Sequence, residues 1–491
     1  MNVLILPMLI PLLAGILLVF PRKKIKLQRS ISLLAMLISC GVSIWILQEI
    51  GKTGVQRLDF GGWKPPYGIL FVADSFSMLL VTTTCLVGSI CLMFTFSSIG
   101  EKLEQMYIYP FMLIMVAGVN GSFLTGDVFN LFVCFEVLLI ASYVLIALGG
   151  KRQQLKASVK YVAINILSSW LFLVGIGYLY GSVGTLNMAH ISQRVAESGQ
   201  TPLFTAISIL LLLVFSIKAG LLLYFWLPGS YGAPPPAIAA FFGALLTKVG
   251  IYAIFRIFTL IFYHQPQITH TLIGILAIAT LIGGGLGAIA YSDIRKILAY
   301  NVIIAVGFIM SGLAIFTVPS MQGSVYYLIH DMIAKALLFL IGGIIIMVTG
   351  TARINRMSGL IGNYPVLGVL FFLTVLSLSG IPPFPGFLGK VLIGQGAIEG
   401  GSYILLACVF LSSLLVLYSL IRIFLQCFWG ETIMIKEEQQ PLKRTWILPC
   451  VLFAALSLSL GVGAEAVAVH IQLAAEVLMN PQIYIDAVMT P

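Results

Sequence analysis

Apolar runs of about twenty residues recur along the chain from its first residues to about residue 469, separated by short stretches rich in Lys, Arg, Gly and Pro. A helix rising ~1.5 Å per residue needs a run of that length to cross a hydrocarbon layer ~30 Å thick. The pattern predicts fourteen such spans, at about 2–20, 30–50, 74–97, 107–124, 128–149, 160–182, 203–227, 235–262, 270–290, 297–317, 321–350, 365–397, 402–428 and 446–469. Three contain helix breakers. Span 7 has Gly220 and then runs into Leu227-Pro228-Gly229 and Pro234-Pro235-Pro236, span 11 carries Gly323, Gly342 and Gly343, and span 12 contains Gly380, Pro382, Pro383, Pro385 and Gly386. Proline removes a backbone donor and clashes with the preceding carbonyls. Non-helical backbone at membrane depth is tolerated only where protein or water surrounds it, so spans 7 and 12 are expected as broken helices lining a polar interior.

Composition agrees with this class and excludes others. Of 491 residues, 60% are hydrophobic and 9% are charged, against roughly a quarter charged in soluble domains. The stretches outside the spans, 51–73, 183–202, 429–445 and 470–491, are each too short for a core of their own. Catalysis on a soluble substrate is therefore not expected, and no haem or iron–sulfur ligand spacing occurs. No cofactor is expected, and no residues can be assigned to a metal. The seven cysteines fall within spans without a CxxC pair and read as small buried hydrophobes.

The net charge of +10 reflects topology. Counting fourteen spans puts Arg22, Lys23, Lys24, Lys26, Arg29, Lys102, Lys151, Arg152, Lys156, Lys160, Arg295, Lys296, Arg353, Arg356, Lys436, Lys443 and Arg444 on one side, and only Lys52, Arg57, Lys64 and Arg194 on the other. The positive-inside rule makes the first side cytoplasmic and leaves both termini on the outer face. No basic face with stacking aromatics suggests nucleic acid. The first span, followed at once by basic residues and lacking a small-residue cleavage site, reads as a retained helix. Trp45, Trp63, Trp226, Trp429 and Trp446 fall near span ends, where aromatic belts form.

The two halves echo each other. Tyr252-Ala-Ile-Phe-Arg256-Ile-Phe in span 8 resembles Tyr418-Ser-Leu-Ile-Arg422-Ile-Phe in span 13, 166 positions later, and Lys218 and Lys390 are 172 apart. Each half reads as a broken helix bearing a lysine, then a span bearing YxxxRIF. Spans 4–8 and 9–13 are units of five, so such a repeat inverts its orientation in the membrane. The expected organisation is helices 1–3 over 1–104, one five-helix repeat over 105–262, an inverted second over 263–430, and the last helix with a tail over 431–491.

Five ionisable side chains sit deep within the apolar runs: Glu136, Lys218, Lys248, Lys335 and Lys390. Such groups are costly at bilayer depth and mark ion or proton routes. Lys218 lies nine residues before Leu227, about 14 Å along a helix, beyond the reach of a lysine stem toward water. Glu136 is the one carboxylate of the first half at comparable depth, and a Glu136–Lys218 pair of changing separation would let the lysine take and release a proton. The same pair held still would be a packing brace. Lys248 has no carboxylate near it in sequence and reads as a neutral or water-bridged relay. His330, five residues before Lys335, suits a relay near neutral pH, unless it lies with Asp331 at the membrane surface. Lys390, just past the break in span 12, would be the terminal site. Arg256 and Arg422 lie near span ends and are expected to reach the interface, as is Glu465.

The runs FNLFVCFEVLLIASYVLI, SIKAGLLLYFWLPGSYGAPPPAIAAFFGALLTKVGIY, SDIRKILAYNVIIAVGFIMSGL, HDMIAKALLFLIGG and LSLSGIPPFPGFLGK resemble the antiporter-like subunits shared by respiratory complex I and the multisubunit Mrp cation/proton antiporters. The resemblance covers nearly the whole chain, most strongly 105–430. It implies an all-α polytopic membrane protein of about fourteen helices, with inverted repeats at spans 4–8 and 9–13. It also implies a proton-translocating role for Glu136, Lys218, Lys248 and Lys390, with His330 and Lys335 in the connecting span. Lys390 stands where the M-type complex I subunit usually carries glutamate, and the motifs are worded most like the D-type Mrp branch of Bacillus-like bacteria. On this reading the partners are the A-type and small Mrp subunits, membrane lipid, and H⁺ and Na⁺ as transported ions, in a bacterial cell membrane. The alternative is a proton-pumping subunit of complex I or of a membrane-bound hydrogenase. A stand-alone transporter of an organic solute would need solute-sized polar groups at the broken helices, which the lysine series does not resemble.

Overall fold

A computed structural model describes residues 2–199, 201–431 and 441–490. Lys436, counted among the basic loop residues above, lies outside the described residues. The chain begins with α1 (Leu6–Leu17) and α2 (Ile25–Thr53), then a hairpin of β1 (Gln56–Asp59) and β2 (Leu70–Ala73). There follow α3 (Ser75–Ser98), α4 (Glu101–Glu104), α5 (Ile108–Leu124), α6 (Val128–Ala147), α7 (Arg152–Val183) and α8 (Met188–Ser198). The middle comprises α9 (Pro202–Ala219), α10 (Leu227–Ser230), α11 (Pro236–Leu260), α12 (Pro266–Ala290), α13 (Ile294–Ile315) and α14 (Val318–Thr349). The remainder is α15 (Leu360–Asn363), α16 (Pro365–Ser379), α17 (Pro385–Glu399), α18 (Tyr403–Phe428), α19 (Arg444–Val462), α20 (Ala464–Met479) and α21 (Pro481–Met489).

Each of the fourteen apolar stretches is helical over most of its length. Eleven helices among the described residues are long and apolar enough to cross a membrane, and Asn2–Leu17, Ile108–Leu124 and Pro365–Ser379 are shorter apolar helices. Helix α11 is buried along its whole length, with α13 and α14 nearly so, whereas α18 and α19 show much of their surface. A helix apolar on all sides belongs inside a bundle, and α11 and α14 pack side by side at the centre.

Both expected breaks occur. Helix α9 stops at Gly220, whose φ of +77° suits a residue without Cβ, and Leu222 follows at φ +58°. The carbonyls freed there find donors: the Gly220 and Leu221 N–H groups donate to Ser216 O at 2.9 Å, and Trp226 Nε1 donates to Ile217 O at 3.1 Å. Trp226 is therefore not a belt residue. It is 1% exposed and packs on Tyr161 and Tyr231, because its indole N–H is needed at the helix break. Trp446 is likewise buried, donating to Ser97 O at 3.0 Å, while Trp45, Trp63 and Trp429 are exposed. In span 12, α16 ends at Gly380 (φ +80°) and α17 resumes at Pro385.

Span 11, outside the two spans expected to break, is continuous: α14 runs 32 residues through all its glycines. They permit close packing instead, since a Cβ on Gly323 would lie 2.7 Å from Ile393 N and one on Gly342 would lie 2.5 Å from Leu298 Cδ1. Within 470–490 the chain is mostly helical. Helix α21 packs on α8 and β1, and Arg57 Nη1 donates to Val488 O and Thr490 O. Glu465 is exposed.

Two loops are built alike. Asp127 bridges Asn187 and Asp293 bridges Arg353, each antiparallel, with 166 positions between the first pair and the second. Val128 N–H donates to Leu186 O and Ile294 N–H donates to Ala352 O, both at 2.9 Å and again 166 apart.

Candidate functional site

A string of buried titratable side chains runs through the bundle, carried by α6, α9, α11, α14 and α17. In the first half, Glu136 on α6 is half-buried, and Lys218 in the last turn of α9 is 4% exposed. They do not touch. Ser169 on α7 stands between them: its hydroxyl donates to Glu136 Oε1 and accepts from Lys218 Nζ at 3.2 Å. The ammonium also lies 4.9 Å from the centroid of the Phe135 ring. Lys218 sits beside the break at Gly220, in the last turn of α9, where the unpaired carbonyls of a helix end favour a cation.

The centre holds a group that the sequence did not assemble. Lys248 Nζ lies 2.7 Å from Asp331 Oδ2 and donates to Gly243 O at 2.9 Å, and Lys335 Nζ lies 3.5 Å from Asp331 Oδ1. Lys248 and Asp331 are fully buried and Lys335 is 1% exposed. Asp331 is therefore not at the membrane surface, and Lys248 is not without a carboxylate. The partner comes from another helix, α14, 83 positions away in sequence (331 less 248). Only the i,i+4 step from Asp331 to Lys335, which puts both on one face near the middle of a 32-residue helix, points to it in the sequence.

His330 is fully buried beside this cluster, edge-on to Tyr327 with ring centroids 5.2 Å apart, and neither ring nitrogen has a hydrogen-bond partner among the described residues. A buried imidazole left so calls for water. It lies within electrostatic reach of Asp331, Lys335 and Lys390. Lys390, on α17, turns back to the end of α16 and donates to Ser379 O at 2.7 Å and Leu378 O at 3.1 Å. Lys248, Asp331 and Lys335 are thus joined by direct contacts, with His330 next to Asp331 in the chain and Lys390 on α17, which packs against α14.

The link from Lys218 to Lys248 is of another kind. There α9 meets α11 so closely that a Cβ on Gly250 would lie 2.5 Å from Ala219 N. Ser216 and Thr247, close in sequence to the two lysines, carry buried hydroxyls with no hydrogen-bond partner among the described residues.

Other buried charges lie outside this set and are fully braced. Arg256 does not reach the interface: it is 2% exposed, bonds Asp74 Oδ2 at 2.5 Å, and lies against the rings of Tyr252 and Tyr484. The element missing from the sequence reading is the carboxylate that caps α3. Arg422 is half-buried and donates to Ile289 O at 2.7 Å and Ser292 Oγ at 3.1 Å. Among the described residues no three His, Cys, Asp or Glu side chains converge as a metal site.

Residues 125–416 match the family described as NADH:quinone oxidoreductase/Mrp antiporter, TM. The chain is 51% identical to the D-type subunit of the Na(+)/H(+) antiporter of Bacillus subtilis (strain 168), over 99% of both chains. It is 45% identical to the protein of the same name from Alkalihalophilus pseudofirmus, again over 99% of both. Its fold is similar to that of a chain in the solved Mrp complex from Dietzia sp. DQ12-45-1b, with a TM-score of 0.92, 29% identity and 99% of both chains covered. A chain of respiratory complex I from Thermus thermophilus shares the fold at a TM-score of 0.82 and 24% identity, covering 97% of this chain and all of that one. With its described motifs, its helix order and its buried lysine series, this chain belongs to the NADH:quinone oxidoreductase/Mrp antiporter transmembrane family.

Proposed function

We propose that this chain is the proton-translocating subunit of a multisubunit Na⁺/H⁺ antiporter in a bacterial plasma membrane. Protons pass along Glu136–Ser169–Lys218, Lys248–Asp331–Lys335, His330 and Lys390, driven by the proton motive force and coupled to Na⁺ efflux. The observation that carries this reading is the series of buried titratable groups on α6, α9, α11, α14 and α17 inside an otherwise apolar bundle, joined by direct contacts as Glu136–Ser169–Lys218 and as Lys248–Asp331–Lys335. A lysine in such surroundings holds its proton only while a neighbouring carboxylate or carbonyl supports the charge. Moving that support, by changing the proton on Glu136 or Asp331, releases the proton to the next group. No such series is needed to hold a bundle together, because buried ion pairs contribute little net stability.

The whole-length relatives at 51% and 45% identity carry the antiporter name, which favours this reading over a redox-linked pump. The complex I likeness, at 24% identity, speaks to the fold alone. Fourteen crossings, two inverted five-helix repeats at spans 4–8 and 9–13, and both termini on the outer face belong to the same proposal. The matching bridges 166 positions apart support the repeats, and the basic loops support the orientation. The other subunits of the complex are its partners.

Vesicles carrying the assembled complex test the reading. Alanine at Glu136, Lys218 or Lys248 is expected to abolish Na⁺-dependent proton flux while the subunits still copurify. Normal flux in those vesicles defeats it.

A further inference from the structure

The two halves of the chain treat one arginine in opposite ways. Arg256 and Arg422 stand in the matching YxxxRIF runs, 166 positions apart. Each lies beside a corner of the same build, Thr125-Gly126-Asp127 in the first half and Tyr291-Ser292-Asp293 in the second. In both corners the aspartate caps the helix that follows, α6 or α13.

The first corner is covered by the protein itself. Arg256 is fully buried, bonds Asp74 and lies against the ring of Tyr484 on α21. A Cβ on Gly126 would lie 2.7 Å from Leu70 Cδ1 and 3.2 Å from the Tyr484 hydroxyl. The carbonyl of Phe123 accepts from the Tyr252 hydroxyl at 2.7 Å. In the second corner Tyr418, the counterpart of Tyr252, is exposed, and Arg422 serves the corresponding carbonyl, donating to Ile289 O at 2.7 Å. Ser292 stands where the first half needs glycine, and its hydroxyl accepts from Arg422 at 3.1 Å.

An open pocket of about 360 Å³ lies at this second corner, on the side of the molecule that carries the basic loops. Tyr291, Ser292, Asp293, Lys296, Arg353 and Arg356 line it, and its three cations are exposed. Their counterparts 166 positions earlier are Asn130, Asn187 and His190. The one carboxylate in the wall, Asp293, is engaged by the Arg295 N–H at 2.9 Å. Among the described residues neither Arg422 nor the three lining cations forms an ion pair. Positive charges gathered on one wall without a counter-ion repel one another and favour an anion between them.

The surroundings say which anion. Helix α12 ends at Ala290, just before Tyr291, and packs along α18 with Gly285 against Leu415. On the same stretch of the two helices Ile282, Leu286, Tyr418 and Leu425 are all exposed. Apolar surface thus runs up to the rim of a basic pocket at the end of a membrane span. That is the arrangement that takes a phosphate headgroup with its acyl chains lying on the helices. We propose that this pocket binds the headgroup of an anionic phospholipid from the leaflet on the basic-loop side. The lipid supplies to the second corner the negative charge that Asp74 supplies to the first. The site is independent of the proton relay.

The test uses the assembled complex in phosphatidylcholine vesicles containing a minor fraction of phosphatidylglycerol with a photoreactive acyl chain. Illumination is expected to label α12 and α18 around Leu286 and Leu425. Replacing Lys296, Arg353 and Arg356 together by Gln is expected to lower that labelling at least about tenfold. Lys23→Gln, Lys24→Gln and Lys26→Gln, combined, remove the same charge from another exposed loop on that side and should leave the labelling unchanged. Unlabelled phosphatidylglycerol should compete, whereas added phosphatidylcholine and inorganic phosphate should not. An equal loss in both triple variants overturns the proposal, because it reports general attraction to a basic surface. Absence of label on α12 and α18 in the unaltered complex also overturns it and assigns the pocket to an acidic segment of a partner subunit. Displacement by inorganic phosphate overturns it in favour of a free anion. The labelling and competition arms use the unaltered complex, so they decide the matter even if the Lys296, Arg353 and Arg356 triple variant fails to copurify with its partners.

Discussion

The site on α6, α7 and α9 holds its titratable lysine through a neutral hydroxyl, whereas the central site, where α11 of the first repeat meets α14 of the second, holds Lys248 and Lys335 through a shared carboxylate. Glu136, Ser169 and Lys218 come from three helices and include a half-buried acid. Lys248, Asp331 and Lys335 come from two helices and lie almost wholly out of solvent. A hydroxyl can rotate and pass a proton while its neighbours stay charged or neutral. A carboxylate between two ammonium groups cannot lose its charge without leaving both unsupported. The first site is thus the more easily reset, and the second is the more tightly coupled, so that removing one member has the larger consequence there.

Asp331→Ala tests the tighter site hardest. It leaves two buried ammonium groups without their carboxylate, and the expected loss is complete exchange activity together with about 3–5 kcal/mol of stability, read as a lower melting temperature of the complex. Adding Lys335→Ala to it is expected to recover part of the melting temperature and none of the exchange, which separates the brace from the relay. Ser169→Ala breaks the looser site. Exchange should fall by roughly tenfold with assembly intact, because Glu136 and Lys218 lose their bridge and water takes its place only in part. Ser169→Thr, which keeps the hydroxyl, should retain most of the rate in the same flux assay; equal loss in both variants would refute the bridge.

The second break offers a smaller contrast. Gly380→Ala forces a side chain onto a residue at φ +80° and puts its Cβ 2.6 Å from Lys390 Cδ. Strain of about 1 kcal/mol or more is expected, with slowed exchange, because the lysine must leave the carbonyls of Leu378 and Ser379. Trp226→Phe, at the first break, removes one hydrogen bond to Ile217 O and should cost about 1 kcal/mol in thermal unfolding with little change in flux.

Much of this arrangement is legible in the sequence, and the reasons differ from residue to residue. Lys218 and Lys390 can be found because each stands in an apolar run beside a break, a combination that few side chains survive without a polar interior. Asp331 escapes notice as a site residue because its neighbour His330 makes a surface position plausible, and its partner Lys248 is supplied by another helix. Ser169 gives no signal at all, since a serine in an apolar helix is ordinary. Arg256 reads as reaching the interface because nothing in the sequence ties it to Asp74, 182 positions away. The glycines of span 11 illustrate a related point: glycine marks either a break or a close approach, and only the facing helix decides which.

Hydrophobic run length depends on the bilayer, a solvent that acts on each segment separately, so the sequence alone determined the polytopic helical class and where its apolar helices lie. The burial of the lysines followed from the same apolar runs. Which carboxylate meets Lys248 and which hydroxyl bridges Glu136 to Lys218 depend on contacts between helices far apart in the chain. Those were settled only when α6, α9, α11, α14 and α17 packed together.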